Sequence, residues 1–224
     1  MNNPLSPEKS GIQSFPNDFE YVSAELEWAG ARVQRLVVQR QLEELEGIRV
    51  QRGARHQVYL GEVSPQRVSM LQAEEKAIRG TIDARLDLNR TVGPDIGLDR
   101  LCREHGLTEF DRNLLLLCFV PCLGNRHCEQ ILWRLDPVIR STDVSVEAAA
   151  LFLESSSDDM IKGLLRILPE APLRQQGLVQ LSYEPMTPAD ALTVGISLSG
   201  KAMATITGVP AFRGFCAPTE KGDA

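Results

Sequence analysis

The segment from Gly195 to Ala202 reads GISLSGKA and contains the pattern G-x-x-x-x-G-K. In a phosphate-binding loop this pattern is followed by Ser or Thr, because that hydroxyl binds the magnesium ion of the nucleotide. The chain has Ala202 at that position, and the 22 residues that follow it are too few for an ATPase core. We therefore predict a strand that leads into a capped helix rather than a nucleotide site.

Three cysteines and a histidine lie close together in the sequence, namely Cys118, Cys122, His127 and Cys128. Zinc sites need thiolate and imidazole groups that converge tetrahedrally, usually from paired short loops. Cys118 and Cys122 instead lie one turn apart in an apolar helix, where a free cysteine behaves as a small hydrophobic residue. The sequence therefore predicts no metal site. A metal-dependent enzyme that uses Cys118, Cys122 and Cys128 is kept as an alternative.

Cys102 and His105 have the spacing of a nucleophile and its base on one helical turn. Such a pair normally includes a third group that orients the base, and none is evident here. We therefore interpret Cys102 as a core residue and His105 as a partly exposed residue at a helix end.

Adjacent carboxylates occur at Asp158-Asp159 and at Glu43-Glu44. They are typical of a helix cap and of a solvent-exposed helix face, and nothing indicates an acid/base pair. The sequence thus predicts no catalytic, cofactor-binding or metal-binding residues, and we expect that the protein is not an enzyme and needs no cofactor.

The composition is that of an ordinary folded domain: of 224 residues, 43% are hydrophobic and 24% are charged. The longest apolar run, Leu114 to Leu123, is far shorter than the roughly 20 residues that a membrane helix needs. Residues 1–16 lack the apolar core of a signal peptide. Five irregularly spaced cysteines favour a reducing compartment, and a net charge of −6 opposes non-specific nucleic-acid binding. We expect a soluble cytoplasmic protein.

The first half of the chain is predicted to be a disordered lead-in, residues 1–17, followed by a helical hairpin, residues 18–92. The first helix begins at Asn17 or Asp18 and ends near Gly47, because apolar residues recur at steps of three and four: Phe19, Val22, Leu26, Ala29, Val33 and Leu36. Residues 48–63 read as a loop. A second helix follows Ser64-Pro65, a cap with proline at the first helical position. Thr91 to Pro94 is predicted to be a domain boundary.

Beyond this boundary the predicted elements are helices followed by two short strands. We expect helices at 96–105, 108–121, 125–135, 146–153 and 160–168. The helix that Thr108 caps is the most apolar, so it should lie at the centre of the core. Strands are expected at 178–183 and 194–198, followed by a helix at 200–207. This order predicts a mainly α protein in which residues 95–208 form a winged-helix-like domain with a small β-wing. Residues 209–224 are predicted to be a flexible tail.

DNA binding is the first function to consider for a winged helix, and the charges oppose it. A recognition helix needs basic or amide side chains, whereas the helix that we assign to this role, 146–154, has two acids and no base. Residues 98–208 contain ten basic and fourteen acidic residues. The one basic cluster, Arg49, Arg52, Arg55 and His56, reads as a solvent-exposed loop. A protein-binding surface fits these charges better than a DNA groove.

Several segments, taken in order, resemble the N-terminal winged-helix region of a group of bacterial AAA+ ATPases. They are Leu98 to Leu101, then His105 to Cys118 (HGLTEFDRNLLLLC), Thr142 to Val146, Ala171 to Leu178 (APLRQQGL) and Ile196 to Met203 (ISLSGKAM). Such ATPases are encoded, among other places, with phage-tail-like contractile injection systems. The resemblance covers roughly residues 60–208 and places Lys201 in a closing segment outside any nucleotide site.

The resemblance implies a regulatory or partner-binding module without its own ATPase activity, since the ATPase module that follows in the family is absent from this chain. Its expected partners are proteins or AAA+ ATPase subunits that dock on apolar helix stripes and wing edges. Self-association through the N-terminal helices is a further alternative, and no membrane partner is expected. The rival hypothesis is a winged-helix transcription regulator that binds DNA.

Overall fold

The computed structural model describes residues 12–47, 63–123, 144–152, 165, 168–187, 190 and 194–214. Three sequence predictions lie wholly or largely outside these residues: the loop at 48–63 and the helices at 125–135 and 160–168. In the described part, none of the helices combines the length and the hydropathy that a membrane crossing requires.

Two long helices, α1 (Asp18–Leu45) and α2 (Pro65–Val92), form the first half of the structure. The Asn17 side chain accepts a hydrogen bond from the backbone of Glu20, and Ser64 accepts one from the backbone of Arg67. These bonds satisfy amides that have no partner within the first turn of a helix. Both predicted helix starts are therefore confirmed, and the ends lie within two residues of those expected.

The two helices run antiparallel, as predicted for a hairpin. Ion pairs across the interface join Glu20 to Arg85, Glu25 to Arg79 and Arg35 to Glu75. The residue number on α2 falls as the number on α1 rises, which only an antiparallel arrangement allows.

The second half contains short elements. Its helices are α3 (Gly97–Glu104), α4 (Glu109–Phe119), α5 (Val146–Phe152), α6 (Pro172–Gln175) and α7 (Gly200–Thr207), with 3-10 turns at Val120–Leu123 and Pro210–Gly214. A capping box starts α4, in which the Thr108 side chain accepts from the Asp111 amide while Asp111 accepts from the Thr108 amide. The predicted Thr108 and Ser145 caps are both confirmed.

A small antiparallel sheet contains β1 (Val144–Ser145), β2 (Val179–Leu181) and β3 (Gly195–Leu198) in the order β1-β3-β2. Val144 pairs with Ile196, and Val179 pairs with Leu198. The helices followed by this β-wing confirm the predicted winged-helix fold. The sequence analysis missed β1, since two residues are too few to show an alternating pattern.

One hydrophobic core contains residues from the hairpin and from the second half. Every residue of α4 from Leu114 to Phe119 is buried, which confirms the predicted central position of this helix. Trp28 of α1 packs edge-on against Phe152 of α5 with 5.6 Å between the ring centroids. The domain division near Thr91 to Pro94 stays a prediction, but the described residues on its two sides share their core.

Parts of the predicted disordered lead-in and of the predicted flexible tail are among the described residues, and one residue of the predicted apolar stripe is exposed. Phe15, in the predicted disordered lead-in, is fully buried and packs 5.2 Å from the Tyr21 ring. Its backbone amide donates to Asn89 and its carbonyl accepts from the same side chain. Phe19, predicted on the apolar stripe, is 74% exposed. At the other end, Pro210–Gly214 of the predicted flexible tail forms a 3-10 turn.

The start of α3 lies in backbone contact with α7. A methyl group on Gly97 would overlap the carbonyl oxygen of Thr205, so only glycine allows this approach. No side chain near Ile96 caps α3. Instead, the Gly97 amide donates to Asp18 of α1 over 2.6 Å, so tertiary structure supplies the cap.

We expect Gly97→Ala to lower the free energy of unfolding by about 1–3 kcal/mol, because the added methyl group forces α3 away from α7. Gly80→Ala is the matched control. Gly80 lies in an exposed part of α2 with nothing near the added carbon, so this change should stabilise the protein by about 1 kcal/mol through helix propensity. Urea denaturation of both variants measures the effects, and a neutral Gly97→Ala would contradict the close approach.

Candidate functional site

An open groove with a volume of about 800 Å³ lies between α2, α3 and α4. Its apolar lining consists of Leu86, Cys102 and Leu107. Four arginines contribute to its walls: Arg79, Arg90, Arg103 and Arg112. Four acids do so as well: Asp83, Asp87, Asp99 and Glu109. The groove combines apolar and charged lining residues, as binding sites commonly do. Among the described residues we therefore take it as the candidate binding site.

A fully buried carboxylate, Glu25 of α1, lies behind the groove. Arg79 donates to its two oxygens over 2.8 and 3.1 Å, and Arg112 donates to it as well. Arg112 also donates to the Tyr21 hydroxyl over 2.8 Å. A buried carboxylate is costly unless it is paired and hydrogen-bonded, so this cluster ties α1, α2 and α4 together.

Two members of this cluster have shifted pKa values. Burial, with the nearby charge of Glu25, raises the pKa of Tyr21, which therefore stays a neutral phenol. Burial alone would lower the pKa of Arg112, but Tyr21 and Glu25 outweigh it and raise that pKa. Neither Tyr21 nor Arg112 readily gains or loses a proton near neutral pH, so neither is suited to acid/base catalysis.

A second ion-pair cluster forms the α3 side of the groove. Asp99, whose side chain is 7% exposed, accepts from Arg90 over 2.5 Å and from Arg103 over 3.0 Å. Burial opposes ionisation of Asp99, but the hydrogen bonds and charges of Arg90 and Arg103 outweigh it and lower the pKa of this carboxyl. Asp99 is therefore a fixed negative charge that positions both arginines.

Cys102 lines the groove, and burial raises the pKa of its thiol to about 11. A thiol rather than a nucleophilic thiolate is thus present at neutral pH. Both Cys102 and His105 are among the described residues, and no hydrogen bond joins them. The interpretation of Cys102 as a packing residue agrees with its contact with the core.

The segment that matches part of a phosphate-binding loop is a strand followed by a capped helix, as predicted. After β3, Ser199 caps α7 by accepting from the Ala202 amide. The chain then folds back, and the Phe212 carbonyl lies within 2.5 Å of where a Cβ of Gly200 would be. Lys201 donates to the Gln176 carbonyl over 3.1 Å. Gly200 therefore packs closely against the backbone of the 3-10 turn at Pro210–Gly214, and the Lys201 ammonium is bound to a carbonyl of the same chain.

The structure describes only some of the remaining candidate residues from the sequence analysis. Cys118 is buried in α4, and the Cys122 thiol donates to the Cys118 carbonyl. His127 and Cys128 lie outside the described residues, as do Asp158-Asp159 and the cluster Arg49, Arg52, Arg55 and His56. Glu43 accepts from Gln39 near the end of α1, and Glu44 is exposed. Within the described ranges, no three His, Cys, Asp or Glu residues are placed to hold a metal ion.

Residues 146–154, which the sequence analysis assigned as the recognition helix, include α5. The described side chains of α5, among them Val146, Ala148 and Phe152, are buried, so one face of this helix packs into the core.

The sequence analysis also missed Glu25 and its arginines. Glu25 lies one turn after Tyr21 and one turn before Trp28 and Ala29, all of which are buried. A carboxylate within an apolar stripe is a signal that could have revealed the cluster. Its partner Arg112 is 87 positions away in the sequence and could not be identified from spacing.

Comparison with known proteins identifies the family. The family model described as "Winged helix domain, variant" matches residues 4–212, nearly the whole chain. The protein belongs to this family. No curated protein matches the chain, and no solved structure does.

We expect Glu25→Gln to lower the free energy of unfolding by about 3–5 kcal/mol, because it removes the buried counter-charge of Arg112 and leaves Arg79 paired with Asp83 alone. Glu27→Gln, an exposed position on the same helix, should change stability by less than about 0.5 kcal/mol. Urea denaturation followed by tryptophan fluorescence measures both. Equal effects of the two changes would contradict a structural role for Glu25.

The lowered pKa of Asp99 predicts a pH dependence. A carboxyl whose pKa is lower in the folded state than in the unfolded state stabilises the protein at pH values above its ordinary pKa of 3.8. This stabilisation is lost as the pH falls through the folded-state pKa. Asp99→Asn should therefore destabilise the protein at pH 7, and the difference from wild type should shrink in acid. Thermal unfolding of both proteins between neutral and acidic pH tests this. A difference that does not change with pH would contradict it.

Proposed function

We propose that the chain is a non-catalytic, cytoplasmic interaction module whose partners are proteins or AAA+ ATPase subunits. The resemblance of segments between Leu98 and Met203 to the N-terminal winged-helix region of bacterial AAA+ ATPases supports this. A contractile injection system is the context that the same resemblance suggests. The proposed module needs no cofactor.

The observation that carries this proposal is the pairing of the arginines. Arginines that form ion pairs with acids of the same chain are Arg32, Arg35, Arg79, Arg85, Arg90, Arg100, Arg103, Arg112 and Arg174. DNA binding depends on cations that neutralise phosphates and release counterions. Arginines already neutralised by carboxylates serve that purpose poorly, whereas an apolar groove with paired charges suits a protein surface.

The wing supports the same proposal. From Leu178 to Ser199 the sequence contains the acids Glu184 and Asp190 and no Lys, Arg or His. A wing that contacts a DNA backbone needs positive charge. An acidic wing with exposed apolar side chains instead fits a protein partner.

The alternative, a DNA-binding regulator, rests on one feature of the sequence. The helix predicted at 160–168 contains Lys162 and Arg166. Two basic side chains at this position are compatible with phosphate or base contacts.

A binding experiment separates the two functions. Fluorescence anisotropy with a labelled random-sequence duplex at physiological salt should give a dissociation constant weaker than about 1 μM, as for non-specific binding. The double variant Lys162→Glu with Arg166→Glu should bind the duplex equally weakly. Specific binding at about 10 nM or tighter that the double variant loses would establish the regulator instead.

The link to an AAA+ ATPase needs a separate measurement. The chain, expressed with a tag in its source cell and chemically cross-linked, should enrich a protein with an AAA+ module over a tagged control protein. The purified chain should hydrolyse no ATP. ATP hydrolysis that Lys201→Ala abolishes would contradict the proposal that the module is non-catalytic. If the cross-linked products contain no AAA+ protein, the proposed AAA+ partner is wrong.

A further inference from the structure

Residues 12–17 lie before α1 and against the C-terminal end of α2, and we call this segment the N-terminal strap. Phe15 is fully buried, whereas Ile12, Gln13 and Pro16 beside it are exposed. Because most of the apolar area that a segment buries stabilises its attachment, the attachment of this strap depends mainly on one side chain. Phe15 is therefore its anchor.

Two residues near the C-terminal end of α2 hold the anchor. The Asn89 side chain accepts a hydrogen bond from the Phe15 amide over 2.7 Å and donates one to the Phe15 carbonyl over 2.8 Å. The Arg85 guanidinium lies 3.9 Å from the centre of the Phe15 ring and donates to the Gln13 carbonyl over 3.0 Å. Both the backbone and the side chain of Phe15 are thus bound by α2.

The N-terminal strap also contacts the connection between α2 and α3. Asn89 donates to the Pro94 carbonyl over 2.9 Å, so the side chain that binds Phe15 also binds this connection. The Cβ of Ser14 lies 3.0 Å from the point that a Cβ of Gly93 would occupy. The strap and Asn89 therefore hold the connection together, and release of the strap removes contacts that position it.

The start of α3 depends on the same part of the chain, and α3 forms one wall of the groove. Asp18, which directly follows the strap, caps α3 by accepting from the Gly97 amide. Asp99, Cys102 and Arg103 of α3 line the groove. A displacement of the strap therefore affects the connection and the cap that together position this wall.

We propose that the N-terminal strap is a conformational latch for the groove. When Phe15 leaves its site, the α2–α3 connection and the first turn of α3 loosen, and water gains access to Cys102 from the groove. Leu98 and Leu101 stay in the core, so the opening is local and the molecule remains folded. A partner that binds the released strap would shift this equilibrium and change the groove without touching it.

Alkylation of the cysteines with N-ethylmaleimide, followed by mass-spectrometric peptide mapping, tests the latch. Burial raises the pKa of the Cys102 thiol to about 11, so an opening that admits water uncovers this thiol and also favours its reactive thiolate. Phe15→Ala should raise the alkylation rate of Cys102 at least about tenfold, because the strap loses the apolar burial of its anchor. Cys118, which is buried in α4, reports global unfolding, and its rate should rise much less.

Two further variants make the measurement specific. Phe19→Ala is the matched control, because Phe19 is 74% exposed on α1 outside the strap, and it should leave both rates close to those of wild type. Phe15→Leu keeps an apolar anchor, so it serves if Phe15→Ala does not fold. It should accelerate alkylation of Cys102 selectively, but by a smaller factor.

Two results would overturn the latch. One is an equal acceleration of Cys102 and Cys118, which would mean that loss of the anchor only promotes global unfolding. The other is a Cys102 rate that neither change at Phe15 alters, which would mean that the strap and the groove are not coupled. The alkylation involves no DNA, ATP or partner protein, so its outcome is independent of the experiments that test the proposed function.

Discussion

The pairing of buried carboxylates with arginines is the constraint on which the rest of the structure depends. Glu25 and Glu75 lie between the hairpin helices, where an unpaired charge would cost several kcal/mol. Glu75 binds Arg32 and Arg35, and Glu25 binds Arg79 and Arg112. Each pair joins one position of α1 to one position of α2 or α4, so these pairs favour the observed register.

The same pairs connect the hairpin to the winged helix. Arg32 binds Glu75 of α2 and donates to the Phe152 carbonyl of α5 over 2.7 Å. Its guanidinium also lies 5.5 Å from the Trp28 ring and 5.4 Å from the Phe152 ring. One side chain thus joins three helices through an ion pair, a hydrogen bond and cation–π contacts. The hairpin is consequently part of the framework that positions α5, and it closes one wall of the groove.

Much of the fold could be predicted from local sequence signals, while the candidate site could not. Asn17, Ser64 and Thr108 marked helix starts because capping depends on groups only two or three residues apart. The strands β2 and β3 were evident from alternation. Glu25 with Arg112 and Phe15 with Asn89 are contacts between residues more than 70 positions apart, and no spacing rule reaches that far.

The sequence by itself determined that the described helices other than α6 are helical, where they begin within a residue or two, and why the Gly195 to Ala202 segment lacks a magnesium-binding hydroxyl. These properties depend on backbone geometry and on chemistry within one or two turns. Only the tertiary structure decided that the described side chains of α5 are buried, that arginines such as Arg79 and Arg112 pair with a buried carboxylate and that α2, α3 and α4 form a groove. Burial and charge pairing arise when distant segments meet, and they determine which side chains stay available to a partner.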